Sequence, residues 1–353
     1  MKRILVFNAG GSPSTNFIRS LREAKEEFYI VGVDCNKYYL MRSEANISYL
    51  IPEFTDNDYY KIINRIIEYQ KIDFIHIQND FELQNFVNNI DRFKKVKMFI
   101  PSTETINICL DKYQTYNKWK KAGIPQPKTM MINNEKDLKQ ALSSFGKIWI
   151  RDITGAGGRG SLPTDDFKVA KSWLDFKNGW GKYTAAECLK EQSITWMSIW
   201  KDGKLKVAQG RKRLYWELSK VSPSGISGAT GTGITVSDPK VDNIAIKAIK
   251  AVDKKPHGIY SVDMTYDKNN VPNPTEINIG RFFTTHEFFT RCGLNMPYIY
   301  IKLAFNEKVE LPKKKINPLP ENLAWIRGID FLPILTKVNH IEESVKLLNE
   351  MRK

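Results

Sequence analysis

The sequence predicts an α/β protein in which a parallel-sheet domain is followed by mixed α+β lobes of a single enzyme. Three observations carry this expectation. Residues 1–108 alternate short apolar runs with helical patterns, which is the signature of strand–helix–strand units on a parallel sheet. From residue 183 onward, strand-like runs separated by turn signals such as Asp202-Gly203 predict hairpins. There is no internal repeat and no low-complexity linker, so the parts read as lobes of one body rather than separate beads.

At 353 residues the chain can bury a sizeable core, and its 42% apolar content is ordinary for a globular protein. No run approaches the roughly 18 apolar residues of a membrane helix. The start, MKRILVFNAGGS, has a charged and then an apolar stretch, but the short run leads into Gly-Gly-Ser-Pro and predicts a first strand rather than a signal peptide. Four dispersed cysteines without a CxxC, and four dispersed histidines, argue against a zinc site or a disulfide framework and place the chain in a reducing compartment, by default the cytoplasm. The net charge of +15 points to anionic partners. The lysines are spread along the chain rather than gathered in arms or aromatic patches, which argues against nucleic acid and for phosphates or an anionic metabolite.

In chain order, a strand at 3–9 leads through the loop Gly10-Gly11-Ser12-Pro13-Ser14 into a helix at 15–27, and a second strand at 28–34 ends on Asp34. This imitates a dinucleotide fingerprint, but GGSPST lacks the GxGxxG spacing that lets a backbone approach a pyrophosphate, so the loop is expected to close one side of a substrate cleft. A helix at 58–69, a strand at 73–78 and a helix at 82–90 complete the first unit. Residues 102–129 turn helical, with Ser102 a candidate cap, Gly123-Ile124-Pro125 a stop signal, and Lys112 following Asp111 at the start of the second helix. A strand at 148–151 bearing Arg151 runs into 154–161, where four glycines (Gly155, Gly157, Gly158 and Gly160) fall within six residues. Such a backbone can aim N–H groups at an anion, and the arginine leading into it strengthens a phosphate reading. No Gly-Lys-Ser/Thr follows, so it is not a Walker loop. Beyond it come strands at 183–189, 193–200 and 204–209, the basic cluster Arg211-Lys212-Arg213, a Ser/Gly-rich loop at 222–233, a helix at 242–252, and a last amphipathic helix at 341–351.

The residues with the most chemistry lie between Gly258 and Arg281. Glu276 and Asn278 are two apart and share one face of a strand. A hairpin turning at Asn269-Asn270 would set Asp263 opposite Glu276, with Asn278 beside them, although Pro272 and Pro274 warn of a longer loop. Two carboxylates that close repel unless a cation sits between them, and oxygen-only ligands with an amide carbonyl suit Mg²⁺ or Mn²⁺. His257 and His286 flank this hairpin and are expected to be structural or to touch substrate.

Taken in order, these features resemble an ATP-grasp ligase, in the style of the carbamoyl phosphate synthetase-like branch, with an ATP-grasp fold preceded by a Rossmann-like domain. The resemblance covers nearly the whole chain: Asp111-Lys112, Arg151 ahead of the glycine lid, an acidic hinge Glu187-Cys188-Leu189, and Asp263 followed by Glu276-Ile277-Asn278. It implies a first domain over 1–108, a small lobe with the lid over 109–188, and a large lobe over 189–353. It further implies that Lys112, Arg151 and the lid glycines hold ATP phosphates, and that the hinge holds adenine. Asp263, Glu276 and Asn278 would hold Mg²⁺ (or Mn²⁺), and Arg281 would steady the acceptor. The acidic ribose contact of relatives falls on Ser193 here, and the arginine that relatives carry two residues before the first metal aspartate is Ser261, so Arg281, Arg213 and Lys212 are the candidates for that work. The implied reaction joins a carboxylate to an amine through an acyl phosphate. Its alternatives are phosphorylation of bicarbonate or another small acceptor, and a non-catalytic nucleotide-binding regulator. The expected partners are anionic small-molecule carboxylate and amine substrates, with no membrane and no nucleic acid, and a homodimer is the assembly to look for.

Overall fold

The computed structural model describes residues 1–155, 157–158, 160–328, 334–340 and 342–343. The predicted tail helix at 341–351 lies essentially outside them. Among the described residues no helix is long and apolar enough to cross a membrane.

The first unit holds β1 (Lys2–Phe7), α1 (Ser12–Arg22), β2 (Phe28–Asp34), α2 (Lys37–Leu40), β3 (Ile47–Leu50), α3 (Tyr59–Tyr69), β4 (Phe74–His76) and α4 (Asp80–Asn88). Its four strands are parallel in the order β3-β2-β1-β4, as strand–helix alternation predicted. Two helices, α5 (Thr103–Leu110) and α6 (Lys112–Lys121), lead to the small lobe. That lobe comprises β5 (Thr129–Ile132), α7 (Glu135–Phe145), β6 (Ile148–Asp152), β7 (Leu162–Thr164), α8 (Phe167–Phe176) and β8 (Tyr183–Glu187), with its antiparallel strands in the order β5-β8-β6-β7. The large lobe follows with β9 (Ser193–Lys201), β10 (Lys204–Trp216), β11 (Thr230–Val236), α9 (Pro239–Val252), β12 (Gly258–Tyr266), β13 (Pro272–Ile279), α10 (Glu287–Arg291), α11 (Met296–Ala304), β14 (Leu323–Ile326) and β15 (Ile334–Lys337). These strands form one antiparallel sheet, ordered β13-β12-β9-β10-β11-β14-β15.

Two apolar cores each mix first-unit and large-lobe residues. Phe7, Ile75 and Leu83 belong with Trp196, Tyr260 and Ile277, while Phe17 and Phe74 belong with Met197, Phe282 and Tyr300. The small lobe has its own core around Leu138, Ile150 and Leu174. The first unit is therefore a wall against which the large lobe is built, and the small lobe is the separately packed jaw.

Helix caps place two charged side chains where the lobes meet. Asn79 caps α4 by accepting from the Glu82 amide (3.1 Å), which sets Asp80 on the first turn. Asp111 accepts from the Tyr113 and Gln114 amides (2.9 Å each) and sets Lys112 at the head of α6.

The glycine loop after β1, expected to close one side of a substrate cleft, is held against α2. A Cβ on Gly10 would lie 1.7 Å from the Tyr39 carbonyl oxygen, so the loop is packed against α2 and lines neither cavity described below.

The second core buries two histidines. His76 stacks on Phe17 at 3.9 Å, and His286 stacks on Phe282 at 4.8 Å with Nδ1 2.8 Å from the Phe283 carbonyl. Burial, and the proximity of His286, push the His76 pKa well down, and burial lowers His286 to about 4. A histidine held neutral in the fold contributes stability that is full above about pH 6.5 and lost as pH falls toward the folded value. Glu82 acts oppositely: burial raises it to about 7, offset in part by the Tyr59 hydroxyl 2.8 Å away, so its penalty relaxes as pH falls. Two histidines against one carboxyl leave a net loss of stability as pH falls from roughly 6.5 to 5. Unfolding titrations should show this loss, and Glu82→Gln should deepen it; a flat profile in both proteins would contradict the assignment.

Candidate active site

The register of the β12–β13 hairpin is the one expected. Asp263 pairs directly with Glu276 across β12 and β13, and Ser261 with Asn278. The turn differs. It is the five-residue loop 267–271, closed by the Asp267 amide to the Val271 carbonyl at 3.0 Å, rather than a two-residue turn at Asn269-Asn270. The register shifts between Asp263 and Met264, leaving Thr275 as the extra residue that keeps the two carboxylates opposed.

A hydrogen-bonded chain runs through these residues. Arg211 Nη1 donates to Thr285 (2.8 Å) and Nη2 to Thr195 (2.7 Å), and the Thr195 hydroxyl donates to Asp263 (2.5 Å). Asn278 Nδ2 donates to the other Asp263 oxygen (2.9 Å), and Arg281 Nη2 donates to Asn278 Oδ1 (2.6 Å). Arg281 then pairs with Asp80 of α4 through two bonds of 2.5 and 2.9 Å. The string therefore joins the large-lobe interior to the first unit through two of the three candidate ligands.

Cations converge on Glu276. Lys112 Nζ lies 3.9 Å from its carboxylate and also donates to the Gly155 carbonyl of the lid. Arg151 donates to the Thr275 carbonyl at 2.8 Å. Burial lowers the pKa of Lys112, Arg151 and Arg213, and the Glu276 charge counters it in each; Arg281 is raised, because Asp80 outweighs its burial. Arg211 is lowered most, by burial and by Arg213, with Asp263 opposing. These five cations face four carboxylates, Asp80, Asp152, Asp263 and Glu276, so the cluster keeps an excess of positive charge that an anionic ligand would offset.

All of this opens on a cleft of about 790 Å³ between the small and large lobes. It is lined by Lys112, Arg151, Gly155, Gly157, Gly158 and Gly160, by Glu187, Cys188, Leu189 and Ser193 at the hinge, and by Arg213, Asp263, Glu276, Asn278 and Arg281. A smaller cavity of about 220 Å³ adjoins it on the first unit's side and shares Lys112, Gly155, Gly157, Glu276, Asn278 and Arg281. Lys212 lines neither cavity: side chains alternate along β10, and it points away from the face shared by Arg211 and Arg213. Nor do His257 and His286, which pack against Phe99 and Phe282 respectively. Some polar atoms at the hinge are already engaged. The Glu187 carboxylate accepts from the Lys128 amide (2.9 Å), and the Ser193 hydroxyl accepts from Arg213.

Sequence reasoning did not single out Asp80, Thr195 or Arg211 individually. Arg211 was visible in the basic cluster, but β10 was read as ending at Gln209, so its alternation was not applied. Asp80 meets Arg281 across 201 residues, and no local pattern reveals that pairing.

The lid meets the loop of the large lobe that the sequence marked as Ser/Gly-rich. The Ser224 hydroxyl lies 3.4 Å from the Gly158 carbonyl. Gly158 has φ +70°, and a Cβ there would be 2.7 Å from the Ile226 carbonyl oxygen. Gly158→Ala should therefore cost about 1–2 kcal/mol locally and hold the two loops apart. Faster hydrogen exchange at 155–160 and 222–228 would report this, and unchanged exchange would contradict it.

Comparison with solved structures finds the same fold. Biotin carboxylase from Campylobacter jejuni, solved with an ATP analogue, superposes with a TM-score of 0.70 at 20% identity, covering 92% of this chain and 74% of that one. N5-carboxyaminoimidazole synthetase from Staphylococcus aureus with ADP gives 0.73 at 13% identity, over 98% and 96%. The chain has the ATP-grasp fold. A further ATP-grasp neighbour, an L-amino acid ligase from Bacillus licheniformis, gives 0.66 at 10% identity, over 92% and 79%. No family model matches the sequence. In ATP-grasp terms the first unit is the preceding Rossmann-like domain, and the two lobes enclose the cleft.

Proposed function

We propose that this protein is an ATP-dependent carboxylate–amine ligase that forms an amide or peptide bond through an acyl phosphate, releasing ADP and phosphate. The observation that carries the reading is the convergence of Lys112, Arg151, Arg213 and Arg281 on the opposed carboxylates Asp263 and Glu276 inside one lidded cleft.

ATP would lie between the lobes, with adenine against the hinge backbone at Glu187, Cys188 and Leu189, its ribose near Ser193, and its phosphates under the glycine lid between Lys112 and Arg151. The donor set fits a hard divalent cation: two directly opposed carboxylates, beside an amide side chain whose Oδ1 accepts from Arg281 here and could turn to a cation. Asp263, Glu276 and Asn278 would hold Mg²⁺ (or Mn²⁺), which when bound supplies charge neutralisation at the terminal phosphates. Arg213, with Arg211 beside it, would orient the acceptor carboxylate, and Arg281, next to Asn278, would steady the acyl phosphate. The carboxylate oxygen forms the new bond to the γ-phosphorus as the bond to the ADP oxygen breaks. The amine nitrogen then bonds to the acyl carbon, phosphate leaves, and a proton passes to solvent. Lid closure against the 222–228 loop keeps water from the acyl phosphate before the amine arrives. No histidine lines the cleft among the described residues, which fits an amine that arrives neutral. Small anionic substrates suit the excess of cations, and Ser193 and Glu191, which line the cleft, would meet the sugar.

A screen of pooled carboxylates and amines for stimulated ADP release tests the proposal. ADP release that requires both partners is the expected result. Release with a carboxylate or bicarbonate alone would instead assign phosphorylation of a small acceptor, and ATP binding without turnover would assign a regulator.

A further inference from the structure

The acceptor end of the cleft carries a combination that alternation along a strand does not produce. β10 shifts register twice, between Arg213 and Tyr215 and again between Tyr215 and Trp216. Bulges of this kind re-aim side chains. After them, three successive residues, Leu214, Tyr215 and Trp216, all line the cleft. Leu214 and Tyr215 remain 49% and 47% exposed there. The Tyr215 ring is seated on Gly231, where a Cβ would be 2.3 Å from the ring. Ile226, on the loop that meets the lid, and Phe283 complete this apolar wall. Trp149 and Leu189 line the same cleft beside Glu187 and Cys188.

The cationic base of this wall is a pair of arginines. Arg211 and Arg213 share the Thr230 hydroxyl, at 3.3 and 2.9 Å. Each guanidinium is covered on one face by an aromatic ring, Arg211 by Phe283 at 4.3 Å and Arg213 by Trp216 at 3.6 Å. The Arg211 terminal nitrogens are taken by Thr195, Thr230 and Thr285, while its Nε is buried without a partner among the described residues. Arg213 spends Nε on Thr230 and Nη1 on Ser193. The donors still open on this pair, Arg211 Nε, one hydrogen each on Arg211 Nη2 and Arg213 Nη1, and both on Arg213 Nη2, can engage a carboxylate.

We propose that the acceptor is a monocarboxylic acid with an apolar tail, branched aliphatic or aryl, whose carboxylate meets Arg211 and Arg213 and whose tail covers Leu214, Tyr215 and Ile226. This rests on the ligase reading and narrows it to a substrate class. Burial of an apolar tail against side chains now facing water supplies the affinity, and a second carboxylate would be placed against that apolar wall at a desolvation cost.

Calorimetric binding of 4-methylpentanoate, glutarate and acetate, with Mg²⁺ and β,γ-methylene-ATP present, tests the class without requiring turnover. The expected order places 4-methylpentanoate at least about tenfold tighter than either other acid. Leu214→Arg, a change at a half-exposed side chain, should reverse the preference between 4-methylpentanoate and glutarate. Glutarate binding tighter than 4-methylpentanoate in the unmodified protein, equal affinity for all three, or no binding of any would overturn the inference. Trapping with hydroxylamine in parallel reports on the ligase reading separately: the expected binding order without hydroxamate formation would leave this pocket assignment standing and remove the reaction.

Discussion

Replacing Glu276 with glutamine is expected to lower MgATP turnover by about 100- to 1,000-fold while the fold is kept. The side chain sits within β13, the edge strand of its sheet, opposite Asp263, and is the carboxylate whose charge Lys112, Arg151, Arg213 and Arg281 all feel. Neutralising it removes one of two anionic donors for a divalent cation and leaves the surrounding cations less compensated. ATP itself should therefore bind at least as well as before, while the stimulation of binding by Mg²⁺ falls. Calorimetry with and without Mg²⁺ separates the two effects. Turnover at the unmodified rate would remove Glu276 from the metal site.

The second large effect is expected at Asp80. It comes from the first unit and grips Arg281 through two hydrogen bonds, and Arg281 in turn holds Asn278. Both partners of the pair are largely shielded, with side chains 15% and 19% exposed. Asp80→Asn should cost about 2–3 kcal/mol, somewhat less than a fully buried pair because some water reaches it. Turnover should also fall by about 10- to 100-fold, because Arg281 and Asn278 lose their fixed positions. Asp80→Glu should restore part of the rate. A lower melting temperature with an unchanged rate in Asp80→Asn would make the pair purely structural.

The elements that carry the site were legible in the sequence to the extent that local chemistry dictates them. Alternating apolar residues set the β12–β13 face, and the sum of positions around the turn placed Asp263 against Glu276. That register survived a wrong turn because Thr275 bulges by one residue while the loop 267–271 is longer than expected. The cap at Asp111 and the glycine pattern at 155–160 are likewise short-range signals. What was not legible depends on distant partners. A basic triplet does not reveal which two of Arg211, Lys212 and Arg213 enter a cleft until the strand is known to continue through them. Asp80 has no signal beyond a helix start. The Gly10 loop reads as a ligand loop until Tyr39 is seen to fill the space above it.

The proposed reaction turns on one chemical step, transfer of the γ-phosphoryl group to a carboxylate oxygen. It is tested most directly by supplying ¹⁸O-labelled 4-methylpentanoate, or whichever acid the pooled screen returns, with ATP, Mg²⁺ and an amine, and measuring the label in the released phosphate. Formation and aminolysis of an acyl phosphate should deliver one ¹⁸O to each phosphate produced. Amide formation with unlabelled phosphate would contradict the central claim.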